Sequence, residues 1–346
     1  MATFNILNKH LRLHQRIRCL SLLYLSTGTS PLVNNVEIRK KRNAIFDEEK
    51  KRQFSLIKRI EKIHVEHVGP PETCTLIMNK GLSTPFNCAM HIQELLMTQS
   101  VIALVNGKLW DIHCPLTEDC ELRFMHFKED DCNEANEVFW RSCSFILGHI
   151  LETAFKDEHP VELCSFPLPN VKSGSFVYDA DLKLPKWRPT QTELNCLSRI
   201  GSKLQYADLR FEPLDISTDV ALKMFSDNRF KMQQIPEIAA TSFNGSTIRV
   251  YRMGDHIDIS RGPMMSSTAL LGRFSVTAVH HVDSFEYGPL QRVQGVALPK
   301  QFWLHQWTYE LLEEKARQLN TAPSPRLHRK SRLQSQNSLE KAPEPS

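Results

Sequence analysis

Apolar and polar residues alternate in short runs between residues 61 and 129, which is the pattern of half-buried β-strands. The alternation is clear in KIHVEHV and returns in CELRFMHF. Between these runs, FNCAMHIQELLM has the period of a helix, and SVIALVNGKLWDI predicts two strands joined by an Asn106-Gly107 hairpin turn. A hairpin, one helix and a returning strand predict a small β-grasp-like module.

The strongest helical pattern follows at residues 133–157, where Val138, Phe145, Ile150 and Phe155 recur on one broad apolar face. The next 130 or so residues mix both periods. SFVYDADL, STIRVYRMGDHIDIS and GRFSVTAVHHV favour strands, and ISTDVALKMFSDN favours a helix with Ser or Asp near its start. PKQFWLHQWTYELLEEKARQLN predicts a last helix. The fold class predicted for the chain is therefore α+β.

Two N-terminal segments have different patterns. Residues 1–30 contain spaced Arg and Lys, interleaved Leu and Ile and no acid, which is typical of an amphipathic mitochondrial presequence. Residues 31–60 contain helix formers with a narrow apolar stripe, including Ile45 and Phe46. We expect a basic helical extension whose stripe is too thin for a core helix. A partner surface, an RNA contact and a solvated helix remain open for it.

Charge is distributed unevenly along the 346 residues. Residues 1–36 carry +4, residues 37–62 carry +5 and the Pro- and Ser-rich tail at 321–346 carries +3. Because the whole chain has a net charge of +4, residues 63–320 carry −8. Basic extensions on an acidic body favour contact with phosphate backbones. The tail contains no aromatic residue and is predicted to be disordered.

The expected RNA contacts lie in three basic clusters of these extensions. They are Arg39, Lys40, Lys41 and Arg42; Lys50, Lys51 and Arg52; and Arg326, Arg329, Lys330 and Arg332. Each cluster could equally be a solvated face.

The composition excludes several classes of protein. The apolar runs are shorter than the roughly 20 residues that span a bilayer, so no membrane span is expected. The nine cysteines form no CxxC pair and no zinc-ligand spacing with histidine, which favours reduced thiols and no metal or cofactor.

The order of motifs resembles the TGS and editing domains of threonyl-tRNA synthetase over about residues 61–319. The resemblance rests on ALVNGKLWDIHCPLTEDCELRFM, on RSCSFILGH at 141–149, on GSFVYD and on MGDHIDISRGP, whose last four residues are 260–263. It implies a TGS-like β-grasp domain at 61–129 and an editing-like α+β domain at 130–320.

The departures from that family argue against its chemistry. Where the editing helix of the synthetases has His-Ser-Cys-Ala-His, this chain has Arg141-Ser142-Cys143-Ser144-Phe145. Where they have Cys-Arg-Gly-Pro-His, it has Ser260-Arg261-Gly262-Pro263-Met264. Neither Phe145 nor Met264 can transfer protons, a contribution of about 10²–10⁴-fold in general acid–base catalysis. We expect a degenerate site with no catalytic residue. We also expect no aminoacylation domain, since the chain enters its tail where that domain would begin.

Other candidate residues have structural interpretations. His149 is expected to be a satisfied core residue and Cys143 a small buried apolar group. Arg141 could bind a phosphate, but an ion pair with an acid such as Asp258 is favoured. His256 and Asp258 share one face of a strand and Asp255 lies on the other, so these three cannot converge on a substrate.

A presequence, a TGS-like module and an inert editing-like domain resemble the mL39 family of mitochondrial large-subunit ribosomal proteins. The resemblance implies a non-catalytic structural role in the mitochondrial matrix, with ribosomal proteins and rRNA as partners and no small-molecule substrate. Two alternatives remain: a freestanding trans-editing aminoacyl-tRNA hydrolase, and a TGS-containing RNA-binding regulator.

Overall fold

The computed structural model describes residues 34–129, 131–242 and 246–323. The predicted presequence and residues 324–346 of the predicted tail lie outside these ranges. The first element is helix α1 (Asn35–Ser55), whose N-cap side chain, Asn34, accepts a hydrogen bond from the Val36 amide. This cap satisfies one of the first backbone amides of the helix.

A mixed five-stranded sheet forms the next part of the chain. Its elements are β1 (Lys62–His67), β2 (Cys74–Asn79), α2 (Pro85–Ile92), α3 (Glu94–Gln99), β3 (Ile102–Val105), β4 (Lys108–Trp110) and β5 (Cys120–Met125). The strand order is β2-β1-β5-β3-β4, with β1 and β5 parallel and the other neighbours antiparallel. Asn106 and Gly107 both have positive φ, which confirms the hairpin turn between β3 and β4.

One face of this sheet is a core, because alternate residues of each strand point the same way. Val65 and Leu122 are fully buried there and pack with Cys88 of α2 and Leu96 of α3. The predicted helix at 86–97 is two short helices, since Gln93 between them has an extended backbone.

The second part of the chain is built on a long helix and two antiparallel sheets. Its elements are α4 (Asn133–Ala154), β6 (Glu162–Ser165), β7 (Phe176–Asp181), α5 (Gln191–Ala207), β8 (Glu212–Ser217), α6 (Thr218–Met224), α7 (Arg229–Thr241), β9 (Thr247–Met253), β10 (His256–Ile259), β11 (Leu271–Ser284), β12 (Gly288–Pro299) and α8 (Gln306–Arg317). One sheet has the order β11-β12-β7-β6 and the other β10-β9-β8. Together with the first part, these elements confirm the predicted α+β class.

Strand β12 is buried on both faces, which follows from the helices on either side of its sheet. Val293 and Ala297 belong to the core that contains α4, whereas Val296 packs with Tyr309 and Ala316 of α8. The prediction that the last helix begins near residue 299 is wrong. Strand β12 extends to Pro299 and the helix begins at Gln306, because the apolar run QGVALP belongs to a doubly covered strand.

Helix α1 packs into the core, contrary to the expectation from its thin apolar stripe. Phe46 is fully buried and Ile45 nearly so, in a cluster with β8, β9, β10, α6 and α7. The guanidinium of Arg252 lies 4.3 Å from the centre of the Phe46 ring. Arg42 and Glu49 are also buried on this face. Polar residues with partners therefore widen the buried face beyond the apolar stripe.

In the described ranges, no helix has the length and hydropathy needed to cross a bilayer.

Candidate functional site

The two divergent motifs of the sequence meet in the interior of the molecule. Residues 141–145 lie in the middle of α4, and residues 260–264 form the loop that follows β10; we call the latter the SRGPM loop. Ser142, Cys143 and Phe145 are buried because α4 has apolar neighbours on several sides. Burial raises the pKa of the Cys143 thiol well above its ordinary value. The thiol is therefore protonated and is not a nucleophile.

The Phe145 ring fills the position where the synthetase motif has an imidazole. It is completely buried and contacts three rings edge-on. The distances between ring centres are 4.8 Å to His256, 5.8 Å to Phe211 and 6.5 Å to Tyr251. Edge-to-face pairs at such distances add to the free energy of burial. At this position the chain has core packing where the resembling family has a proton-transfer group.

Met264 also points into the core, at 1% exposure. Its sulfur lies 3.6 Å from the Ser142 hydroxyl oxygen. That hydroxyl donates to the Val138 carbonyl at 2.8 Å and accepts the Met265 amide at 2.9 Å. Ser142 of the first motif therefore contacts Met264 of the second, and neither side chain is exposed to a substrate.

The SRGPM loop has a sharp turn at Gly262, whose φ is +62°. A Cβ atom added there would lie 1.8 Å from the Tyr251 hydroxyl oxygen, so only glycine fits. The Tyr251 hydroxyl donates to Asp111 at 2.8 Å, and the other oxygen of Asp111 accepts the Met264 amide at 2.8 Å. Burial raises the pKa of this carboxyl. Asp111 follows β4, so it fastens the SRGPM loop to the first sheet.

Arg141 has a different partner from the one predicted. Its Nη1 donates to the Pro263 carbonyl at 2.9 Å. The predicted ion pair with Asp258 is wrong, because Asp258 is buried against Lys231 at 2.5 Å and accepts the Tyr178 hydroxyl. Arg141 therefore binds one motif to the other.

A buried ion-pair network lies beside the motifs. Glu152 accepts Arg42 Nη1 at 2.7 Å and His256 Nδ1 at 2.5 Å, and Arg42 Nη2 also binds Asp227. These four residues come from α1, α4, β10 and the turn before α7. The basic partners lower the pKa of Glu152, and its two acidic partners raise that of Arg42 against the effect of burial. The network joins α1 to the body of the protein.

His149 is a core residue, as predicted, but it is neither isolated nor satisfied. Its ring centre lies 5.8 Å from that of His256, and Asp255 Oδ1 is 3.8 Å from its Nδ1. That nitrogen has no hydrogen-bond partner within the described residues. Burial, with a smaller contribution from His256, lowers the pKa of His149 to about 4. His149 is therefore neutral near pH 7.

No group of three or more His, Cys, Asp or Glu side chains in the described part of the chain is arranged to hold a metal ion. The eight cysteines of that part, from Cys74 to Cys196, are free thiols.

Comparisons with known proteins identify the family of the chain. The TGS domain family matches residues 76–125. The large ribosomal subunit protein mL39 of Drosophila melanogaster is 45% identical to this chain over 82% of its length and 86% of the relative's. The chain belongs to the mL39 family.

The chain is also similar, at lower identity, to threonine–tRNA ligases. The cytoplasmic threonine–tRNA ligase 2 of Bos taurus is 32% identical over 68% of this chain, and the mitochondrial threonine–tRNA ligase of Rattus norvegicus is 34% identical over 65%. The chain spans 30% of the length of each ligase. The family resemblance inferred from the sequence is thus confirmed. Because the mL39 relative is a ribosomal protein, the prediction that this chain is not an enzyme is confirmed as well.

The basic clusters of this mL39-family chain have several different environments. Arg39 donates to Asp255 at 2.8 Å and to the Glu152 carbonyl at 2.9 Å, and Lys41 lies 2.5 Å from the Ser226 hydroxyl. The prediction that Arg42 contacts RNA is wrong for this fold, because its side chain is buried and paired with two acids. The others lie nearer the surface: Lys40 pairs with Glu37, Lys50 with Glu212 and Arg52 with Glu49, and Lys51 is exposed. Arg326, Arg329, Lys330 and Arg332 lie outside the described residues.

Sequence reasoning missed Asp111 and the partners of Glu152. Glu152 follows Phe145 and His149 at helical spacing, so a carboxylate on the buried face of α4 was a usable signal for a buried ion pair. It also missed Lys58 and Arg59, which are exposed just after α1 ends.

Proposed function

We propose that this chain is a non-catalytic structural component of the mitochondrial large ribosomal subunit. Its membership in the mL39 family carries the proposal. The geometry agrees with it, since Arg141, Ser142, Phe145 and Met264 contact one another or the core in place of a substrate. A trans-editing hydrolase would need a proton-transfer group at these positions.

The presequence and the domain division belong to the same proposal. Residues 1–30 would direct the chain to the mitochondrion, which fits their acid-free, Arg-rich composition. A boundary near residue 129 between the TGS-like and editing-like domains is supported by the first sheet's own core on one of its faces. Its other face contributes Ile102 and Met125 to the core that contains α4. Asp111 and the Ser266 hydroxyl, which donates to the Ser100 carbonyl at 2.7 Å, would hold the two domains together.

Sedimentation tests the proposed function. In a sucrose gradient of mitochondrial lysate, we expect most of the chain to migrate with the large ribosomal subunit and to stay there at moderate salt. A soluble matrix enzyme, detected in the same fractions, is the control for leakage to the top of the gradient. A chain found only in the top fractions would contradict the proposal and favour the freestanding regulator.

We further propose that rRNA is contacted by the segment that follows α1. Lys58 and Arg59 are exposed there, and Lys51 is exposed in the last turns of α1. Leu56, at 64% exposure, lies between Lys51 and Lys58, and Ile60, at 61% exposure, directly follows Arg59. Basic side chains interleaved with exposed apolar ones can bind phosphates and pack on sugars or bases. By contrast, Arg39 and Arg42 are held by acids of the body.

Salt-dependent binding tests this RNA contact. The variant Lys58→Ala/Arg59→Ala should bind an in vitro transcript of the large-subunit rRNA more weakly than the unmodified chain. The plot of log K against log salt has a negative slope, and its magnitude should decrease by about 2, since each phosphate contact contributes about 1. Filter binding at several salt concentrations measures it.

The matched control is Lys186→Ala/Arg188→Ala, which removes the same charge from an exposed loop far along the chain. If both variants reduce the slope equally, the effect is one of net charge and the segment after α1 has no special role.

A further inference from the structure

Helix α8 and the loop before it expose apolar side chains that the fold does not use. Trp303 of the loop is 90% exposed, and Trp307 and Leu311 of the helix are 64% and 46% exposed, with Glu310 and Glu314 on the same helix. We call these five residues the tryptophan face. Large aromatic side chains at such exposure are uncommon on a protein without a partner there, and a contiguous patch of them marks an interaction site.

The opposite face of α8 accounts for its position in the fold. Tyr309 and Ala316 are buried against β12, and the Tyr309 hydroxyl donates to Ser275 at 3.0 Å. The Thr277 hydroxyl donates to the Ala316 carbonyl at 2.8 Å. Because these contacts fix the helix, the outward tryptophans are not needed to hold it.

The negative charge of the tryptophan face favours a basic partner. A shallow groove of about 340 Å³ is lined by Trp307, Glu310, Leu311, Glu313, Glu314 and Arg317. Its charged side chains sum to −2, so it repels phosphates and attracts cations. Exposed tryptophan rings also attract Arg and Lys side chains through their faces. The face therefore suits a protein segment that carries both basic and apolar residues, and it does not suit RNA.

The groove continues into a neighbouring one, so the two together are long enough for a segment of several residues. A second groove of about 260 Å³ shares Glu313 and Arg317 with the first and continues between α5 and β11, where Asn195 and Arg199 line it. The Asn195 amide NH₂ and the Arg199 guanidinium can donate hydrogen bonds to the backbone carbonyls of an extended peptide. The apolar side chains of Trp307 and Leu311 therefore lie in the first groove, and the polar side chains line the second.

We propose that the tryptophan face binds a basic segment of another protein of the large ribosomal subunit. This rests on the proposed function, because the partner is a component of that particle. The RNA contact and this protein contact would lie on surfaces of opposite charge, at Lys58–Arg59 and at Glu310–Glu314.

Site-specific photo-cross-linking inside the particle tests the proposal. The photoreactive residue p-benzoylphenylalanine replaces Trp307 in one variant and Phe285 in the control, since Phe285 is 99% exposed at the turn between β11 and β12. After irradiation, large subunits are isolated by sedimentation and the adducts are identified by mass spectrometry. We expect position 307 to link to a positively charged peptide of another subunit protein, in clear excess over position 285.

Charge reversal provides the second readout. In the position-307 variant, Glu310→Lys/Glu314→Lys should lower the adduct yield by about tenfold or more, since the introduced lysines would repel a basic segment. The variant Glu118→Lys/Glu158→Lys makes the same change of net charge at other exposed positions and should leave the yield unchanged.

Three results would overturn the proposal: an adduct to rRNA, an adduct to residues 321–346 of the same chain, or a yield at position 307 no higher than at position 285. Failure of the proposed function is seen separately, as unmodified chain that does not sediment with the large subunit.

Discussion

Replacing Glu152 with glutamine is expected to lower the free energy of unfolding by about 3–5 kcal/mol. The carboxylate is nearly buried and accepts hydrogen bonds from Arg42 and from His256. Glutamine keeps the shape but offers one acceptor oxygen, so its amide NH₂ would face one of the two donors. The buried Arg42 would also lose half of its counter-charge, a cost that water cannot relieve at that depth.

Urea unfolding of the full-length chain, followed by tryptophan fluorescence, measures the change. Glu137→Gln is the matched control, because it removes the same charge from an exposed position of the same helix. We expect the control to change the free energy by no more than about 0.5 kcal/mol. Equal effects of the two substitutions would mean that the ion-pair network contributes nothing of its own.

A triple substitution tests whether the network adds stability beyond the compensation of its own charges. Arg42→Met/Glu152→Met/Asp227→Asn removes all three charges and should cost less than Glu152→Gln alone, because no unpaired charge is left in the core. If the triple variant is the less stable one, the network stabilises the protein beyond the compensation of its own charges.

Replacing Phe145 with alanine is expected to lower the free energy of unfolding by about 3–5 kcal/mol, the usual range for a buried phenylalanine. The ring contacts Phe211, Tyr251 and His256, which are themselves buried and packed against other core residues, so they have little freedom to fill the space left behind. Tyr251 is further held by its hydrogen bond to Asp111, so the loss should extend to the SRGPM loop.

Thermal unfolding and hydrogen exchange of the Met264 and Met265 amides measure this effect. Phe285→Ala makes the same truncation at a side chain that is 99% exposed, and it should leave both readouts nearly unchanged. A Phe145→Ala variant as stable as this control would show that the interior next to α4 is loosely packed. The interpretation of that region as core would then be wrong.

Both predictions concern the residues that replaced the imidazoles and their surroundings. The sequence resemblance implies proton-transfer groups at these positions, whereas Phe145 and Met264 are buried in the interior of this chain. Apolar side chains gain free energy by filling such an interior, and they occupy space that a substrate would need. What remains for function is the outer surface.

The sequence predicted most of the first sheet correctly, because alternation and an Asn-Gly turn are local signals. It also predicted α4 within a few residues, since Val138, Phe145 and Ile150 recur at helical spacing. Helices α5 and α7 and strands β6, β8 and β12 were not identified, and the start of α8 was placed too early. A strand covered on both faces, such as β12, loses the alternation that would reveal it.

The environment of charged side chains was the least predictable feature. Arg39, Lys40, Lys41 and Arg42 are consecutive in the sequence and looked like one basic cluster. On α1 they point in different directions, since successive residues are separated by about 100° around a helix. Arg42 turns to the core, Arg39 to Asp255 and Lys40 to the surface.

By itself the sequence determined the α+β class, the family and the loss of the proton-transfer groups, because each depends on residue identity and on local order. Only the tertiary structure decided that Asp111 fastens the SRGPM loop, that Glu152 pairs with Arg42 and His256, and that Trp307 stays exposed. These facts depend on residues far apart in the chain, whose proximity is set by how helices and sheets pack. A local sequence pattern does not contain the information on which distant residues come into contact.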